Sequence, residues 1–507
     1  MERIQDPVLG AIEFPDEGPV RELLDLEVFQ RTRHLLQLGP AHLVFPTAHH
    51  TRFSHSIGVY ECCRRAVKGI GLRGLGGGKQ MADLVEVAAL LHDIGHYPLS
   101  HTLEVAYPAL IGPVRIMFKG EVLFEGEPLA ADDDGWIPDP TTTPDAENRS
   151  LLQYAADLKK PGPGAHHEKV GGLVVTSDRW GVKSVLERHD IDPQLVADII
   201  QGQCTLPQWG RMLSSLVHSQ FDADRLDYLL RDASTIGSTY GAVEATHLLG
   251  KMRLRADNGT NHISFEENAV PALDHFIMSR YFAYQAIIFH RAVCCFDVLA
   301  RAAYLAMVKY RDDFPKTVAQ VRQMASGEDL PNLSLLQYDD NLFWYALKKM
   351  AKEGEQYDEV TGTIANWVLS RQQPRVVKEL RVAYTKSTDD DIAAGDPDLL
   401  AYEARKKDLH KKFLDACGAL GVDTRLVFVH ESSKHIYGPA DFDWDPSVGL
   451  PESDSILVEC EGDTRARPLE SVQHSIVHAV GGRAFKFFRL YAPRACCDEL
   501  SKALTNA

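Results

Sequence analysis

Between His92 and Glu104 the chain places three histidines (His92, His96, His101) and two acids (Asp93, Glu104) within thirteen residues, directly after the apolar run Val85-Glu86-Val87-Ala88-Ala89-Leu90-Leu91. Burying a polar group without a partner costs roughly 2–7 kcal/mol. A cluster this dense behind an apolar helix is therefore satisfied by a metal ion or by its own members. The adjacent His92-Asp93 pair can serve one ion from the end of a helix, with Gly95 relaxing the backbone after it. His96 lies one turn on and shares the face of His92. Imidazole and carboxylate ligands without cysteine suit Mn²⁺, Fe, Zn²⁺, Ni²⁺ or Mg²⁺ and do not choose among them.

Two further stretches complete a set of four ligands in the order H…HD…D. Upstream is Arg52-Phe53-Ser54-His55-Ser56-Ile57-Gly58-Val59, and downstream is Phe221-Asp222-Ala223-Asp224-Arg225-Leu226-Asp227-Tyr228-Leu229-Leu230-Arg231-Asp232. Alone, His55 reads as a structural histidine and the Asp-rich stretch as a solvated helix face. Their order around the central motif makes both candidates for the same ion. His49, His50 and His166 are further imidazoles outside the motif positions.

Seven ordered motifs now stand on one chain: Asp6-Pro7…Gly10, Phe29-Gln30-Arg31-Thr32-Arg33…Gln37-Leu38-Gly39, Val44-Phe45-Pro46, the Arg52 to Val59 stretch, His92 to His101, His167-Glu168, and Asp222-x-Asp224-Arg225-x-Asp227-Tyr228. In this order they resemble the HD-domain deoxynucleoside triphosphate triphosphohydrolases, the family of bacterial dGTPases and of the animal enzyme that pairs a SAM domain with an HD domain. The resemblance implies a mostly α fold with an HD-domain helical core, and metal ligation by His55, His92, Asp93 and Asp224. It implies His96, His101, Glu104 and His167 as the polar wall beside the reacting phosphate, with His101 the acid for the leaving 5′-oxygen and Glu104 its partner. Arg52, Arg225 and Tyr228 would hold phosphates, Asp232 and Gln37 would face the sugar 3′-hydroxyl, and Leu38 would lie where a 2′-hydroxyl would project. The chemistry is coherent: a cation activates water and withdraws charge from phosphorus, a histidine protonates the leaving alkoxide, and arginines neutralise a polyphosphate. Attack at the α-phosphorus would release nucleoside and intact triphosphate.

The family places an arginine, a histidine and a tyrosine around base and phosphates in the region that here runs from Arg280 to Phe296. His290-Arg291 align with it, which puts the tyrosine position near Cys294 and the preceding arginine near Ala286. The resemblance also implies a homo-oligomer and a nucleotide effector held between subunits. Asp25, Gln30 and Arg33 match that pattern, and Arg31 and Arg33 otherwise read as an ordinary helix face. Alternatives to a deoxynucleotide substrate are another phosphoester, such as a monophosphate, a ribonucleotide or a cyclic dinucleotide, and a sensor without turnover.

The elements that must carry these residues read as helical from about Val20 to Ala106, from His166 to Ile236 and from Ala269 to Lys309. Lys251 to Arg255 and His262 to Phe265 alternate across an Asp-Asn-Gly turn, which signals a hairpin. Phe118 to Phe124 suggests another, followed by an acidic, Thr- and Pro-rich stretch with too little apolar content for a core. The division is residues 1–106 and 166–310 for the HD domain, 107–165 for an inserted loop and hairpin, and 311–507 for a helical, then α+β, C-terminal region with a small antiparallel sheet. At 507 residues a large core is expected. No apolar run approaches the roughly 20 residues of a membrane span, and the first residues do not read as a signal peptide, so cytoplasm is expected. Nine cysteines with three adjacent pairs read as reduced thiols. A formal charge of −17 opposes a generic nucleic-acid surface while leaving room for a local basic pocket.

Overall fold

The apolar run at 85–91 ends a helix, Gly78–Leu91, whose residues from Leu84 to Leu91 are all buried. A helix apolar on every side belongs at the centre of a bundle, and this one packs against the helices Arg52–Gly69, Pro193–Ile200 and Gly210–Val217. Its last turn runs directly into His92. The computed structural model describes residues 2–107, 115–118, 121–125, 150–162, 164–353, 359–385, 396–438, 455–463 and 465–506. Among them are twenty α-helices and four small sheets, so the fold is mostly α, as the periodicity predicts.

The helix Arg52–Gly69 starts on a capping box in which the side chains of Thr51 and Ser54 bond each other's backbone N–H groups. That fixed start sets His55 in the first turn, facing the helix Ala223–Ile236. Gly58 lets the two helices close, because a Cβ there would lie 1.9 Å from Asp227 Oδ1 and 2.4 Å from Arg231 Nη2. Asp222 caps the Ala223–Ile236 helix by accepting the Arg225 N–H at 2.6 Å.

The region before Val20, for which no element was expected, forms a hairpin in which Glu2–Asp6 pairs antiparallel with Gly10–Phe14. Asp6 Oδ1 accepts the N–H groups of Val8 and Leu9 at 2.9 and 2.8 Å, which closes the turn. Its other oxygen receives Arg231 at 2.8 Å. The later hairpin pairs Met252–Asp257 with Thr260–Glu266 across Asn258-Gly259, both at positive φ. Leu457–Glu459 joins it in parallel.

Between the helices Val270–Ala283 and Arg291–Tyr310 the chain takes a π-helical turn at Tyr284–Ile288. The C-terminal region contains a three-stranded antiparallel sheet with Arg483–Ala492 between Arg375–Thr385 and Phe428–His435. The helices Pro397–Ala419 and Arg494–Asn506 cover it and enclose a second apolar cluster, beside the main core that runs from Ile12 to Tyr491. In the 107–165 stretch Arg115–Phe118 pairs with Glu121–Glu125, matching the expected hairpin, and the acidic, Thr- and Pro-rich stretch lies outside the described residues. All nine cysteines are free. No described helix is long and apolar enough to cross a membrane.

Candidate metal centre and cleft

His55, His92 and Asp224, from three different helix ends, bring one ligand atom each to within 4.8 Å of one another. His55 Nε2 lies 3.0 Å from Asp224 Oδ1, and its Nδ1 donates to Asp227 Oδ2 at 2.8 Å. A carboxylate behind the imidazole fixes the ring and leaves Nε2 as the ligand atom. His92 donates from Nδ1 to the Ala89 carbonyl at 2.8 Å, so its buried Nε2 faces the cluster with no partner among the described residues. Asp93 stands beside these three, with Oδ1 3.5 Å from His92 Nε2 and Oδ2 3.7 Å from His55 Nε2. Burial opposes charge on His55, yet Asp224, Asp227 and Asp93 outweigh it and raise its pKa to about 10. Burial likewise favours a neutral Asp93, and Arg52, His92 and His55 overcome it and hold it well below the usual carboxylate range. A concentration of anionic charge around an orphaned imidazole nitrogen fits a divalent cation.

The second group is the histidine wall. Glu104, buried, accepts from His101 Nδ1 at 2.7 Å on one oxygen, and from the His167 backbone N–H and Nδ1 at 2.7 and 2.9 Å on the other. Its pKa falls well below the usual value because these partners outweigh burial. His101 is exposed and lines the cleft, so fixing its Nδ1 leaves Nε2 for a ligand. His96 is buried, stacks on His167 with ring centres 3.9 Å apart, and has both ring nitrogens unpartnered. Burial, Arg52 and His167 push it well below its ordinary pKa, so it is neutral. Gly95 serves a purpose other than the one read from sequence. Its φ is not positive, and a Cβ would lie 2.2 Å from Gly171 N and 2.3 Å from the His167 carbonyl, so it admits the helix His167–Thr176 against the motif.

Both groups open on one cleft of about 440 Å³, lined also by Gln37, Arg52, Arg225 and Tyr228. Arg52 differs from the expected phosphate holder. Its guanidinium donates to Asp93 Oδ2 at 2.6 Å, Ser100 Oγ at 2.9 Å and the Gln37 carbonyl at 3.3 Å, so it positions the motif. Gln37 presents a buried Oε1 without a partner. Leu38 is half-buried against the main core and does not line the cleft. Asp232 is not a lining residue either: it bonds His50 Nε2 at 2.7 Å, and the His50 carbonyl accepts the Gln37 N–H at 3.0 Å.

Sequence reasoning missed several lining residues. Arg280 and Tyr284 face the cleft, whereas His290 caps the next helix and the Arg291 carbonyl accepts from Tyr491. A π turn occupies 284–288, so α-helical spacing does not run unbroken through this stretch. Ser433, Lys434 and His435 come from the C-terminal sheet, for which no motif gave a signal. Arg31, read either as part of an effector site or as an ordinary helix face, is buried and donates to the carbonyls of His96 and Tyr338 at 2.7 and 2.6 Å. Arg33 is exposed, bonded to Gln30 and stacked over Phe53.

A helical bundle with a His/Asp cluster at the end of its central helix is the arrangement of the HD domain, and the HD domain family model matches residues 52–124. The match to the HD domain is confined to that segment, and among curated proteins the chain is similar to deoxynucleoside triphosphate triphosphohydrolases. The one from Bos taurus is 36% identical over 312 residues, 60% of this chain and 47% of that protein. The Dictyostelium discoideum homologue is 35% identical over 239 residues, 46% of this chain and 36% of the relative. An uncharacterised protein of Mycoplasma genitalium is 29% identical over 284 residues, 56% of this chain and 55% of the relative. The chain thus spans about half the length of the curated relatives it matches. A solved phosphohydrolase structure from Bacteroides thetaiotaomicron superposes with a TM-score of 0.61 at 20% identity, covering 97% of this chain and 99% of that one. That likeness is one of fold.

Proposed function

We propose that the chain is a metal-dependent hydrolase that cleaves deoxynucleoside triphosphates to deoxynucleoside and intact triphosphate. The observation that carries this reading is the meeting, in one cleft, of the His55–His92–Asp93–Asp224 cluster with His101, His167 and an arginine-bearing wall. In this reading those four residues hold a divalent cation, which when bound lowers the pKa of its water and withdraws charge from a phosphoryl oxygen. His101, oriented by Glu104, delivers a proton from Nε2 to the leaving 5′-oxygen. His167 and His96 pack behind it and keep the ring in place. Arg225, Tyr228 and Arg280 neutralise the phosphates.

Gln37 accepts the sugar 3′-hydroxyl on its free Oε1, and Asp232 steadies that loop through His50. Leu38, on the same loop but outside the cleft lining, gives a 2′-hydroxyl no partner, and the preference for the deoxy sugar rests on the family resemblance. An unpaired polar group costs about 1–3 kcal/mol, so deoxynucleotides are favoured roughly 5- to 150-fold in kcat/KM. The HD domain comprises 1–106 and 166–310 in this reading, 107–165 is an insertion, and 311–507 is the C-terminal region. A homo-oligomer and a nucleotide effector in the cytoplasm are carried by the family resemblance, with Arg33 the exposed candidate.

The test is anion-exchange analysis of products from deoxynucleoside and ribonucleoside triphosphates with Mn²⁺ or Mg²⁺. Triphosphate plus deoxynucleoside is expected. Orthophosphate or pyrophosphate would move the reaction to another phosphoester bond, equal turnover of ATP and dATP would remove the sugar mechanism, and no turnover of any nucleotide would leave a sensor.

A further inference from the structure

The charge of the cleft runs against the charge of the chain. On a protein of net charge −17, one wall carries Arg225, Arg280 and Lys434. Arg280 is 7% exposed, and its guanidinium bonds neutral oxygens only: the Gln220 carbonyl at 3.3 Å and Gln220 Oε1 at 2.9 Å. Among the described residues no carboxylate pairs with Arg280 or with Lys434. A buried guanidinium without a counter-ion is costly unless an anion joins it.

Lys434 is held firmly although it comes from the far end of the sequence. It lies on the strand Phe428–His435, in register with Phe485 of the central strand. Phe485 packs edge-on against Tyr281 and Phe289, with ring centres 5.4 and 5.8 Å away, on either side of the π turn. The Lys434 ammonium sits 4.2 Å from the centre of the Tyr284 ring, and Tyr284 opens that turn. Arg225, Arg280 and Lys434 line the same cleft as Tyr284. Burial raises the Tyr284 hydroxyl, but the charge of Lys434, Arg280 and Arg225 brings it below its ordinary pKa. π turns recur at functional sites. One phosphate beside the metal cluster needs one or two cationic partners, and this wall continues past them.

We propose that Lys434 is a further substrate-binding residue, and that the C-terminal sheet supplies it to hold the outer phosphates of a polyphosphate tail. This rests on the triphosphate reading above. The site then reads phosphate-chain length through a strand outside the HD motif, and tri- and monophosphates are told apart at Lys434.

Binding of inorganic tripolyphosphate and of orthophosphate, measured by calorimetry on the full chain, tests it without turnover. A charged hydrogen bond lost from a desolvated wall corresponds to roughly ten- to hundredfold in affinity. Lys434→Gln should weaken tripolyphosphate by that factor and leave orthophosphate unchanged, while Lys434→Arg restores most of the loss. Steady-state kinetics on dATP should show the same change in KM with kcat nearly constant. Unchanged tripolyphosphate affinity in Lys434→Gln overturns the proposal, as does a loss that Lys434→Arg does not recover. If the unmodified protein itself binds tripolyphosphate no better than orthophosphate, the triphosphate reading fails first, and that result is seen before any variant is made.

Discussion

At the scale of single residues the division of labour around Asp93 is unlike what residue type suggests. Arg52 opens the stretch that carries His55, yet it locks Asp93 and Ser100, and among the described arginines lining the cleft Arg280 is the one that bonds no carboxylate. His101 is the opposite case: it is exposed in the cleft and tied only through Nδ1 to Glu104. Replacing it should leave metal and substrate bound and reduce turnover by about 10² to 10⁴, the usual contribution of a general acid. Single-turnover product formation on His101→Ala, with metal content measured alongside, checks this, and near-normal turnover would pass the role to His167. His92, Asp93 and His101 were legible because so many titratable groups follow one apolar helix. Arg280 and Tyr284 were not, since single arginines and tyrosines are common and a π turn interrupts the α-helical spacing at 284–288.

Elements explain why the motif holds its shape. Leu99 and Ser100 both adopt positive φ, with values of 52° and 55°, immediately before His101. Such a conformation costs of order 1–3 kcal/mol per residue for a side chain with a Cβ. Asp340, the first residue of the helix Asp340–Lys352, offsets it by accepting the Leu99 N–H at 2.7 Å and the Leu36 N–H at 3.0 Å. One carboxylate thus ties the loop of Gln37 to the loop of His101, and the preceding Tyr338 carbonyl receives Arg31. Asp340→Ala should lower stability by about 1–3 kcal/mol for each donor left unpaired and should cut kcat while the metal stays bound. Urea denaturation and metal analysis would show it, and a variant as stable and active as the parent would contradict this role. Asp340→Asn keeps one acceptor and should fall between. The helices were legible from period and the Asn258-Gly259 hairpin from its turn. The strand Arg375–Thr385 and the opening hairpin were not, because their partners lie far along the chain or rest on a single Asx turn.

Over the whole molecule, the bulk negative charge opposes a generic nucleic-acid surface yet says nothing of a wall assembled from residues 225, 280 and 434. Only the fold brings these together. The same holds for the candidate ligands: His55, His92 and Asp224 come from three helix ends spread over positions 55 to 224, so an ion held by them would bind the folded chain and not the unfolded one. Mn²⁺ at a hundred times its Kd should then add about 2.7 kcal/mol of stability, visible as a rise in Tm that disappears in His92→Ala. An equal rise in that variant would place the ion elsewhere. Behind His55 runs a line of charges, Asp227, Arg231 and Asp6, joined at 2.8 Å at each step. Asp6 and Arg231 are 225 positions apart. The bond that orients the imidazole is thus backed, through Arg231, by the first turn of the chain closing over a helix nearly halfway along it. Docking of the opening hairpin adds a second carboxylate to a guanidinium that Asp227 already holds, so the N-terminal turn and the candidate ligand His55 share one electrostatic brace.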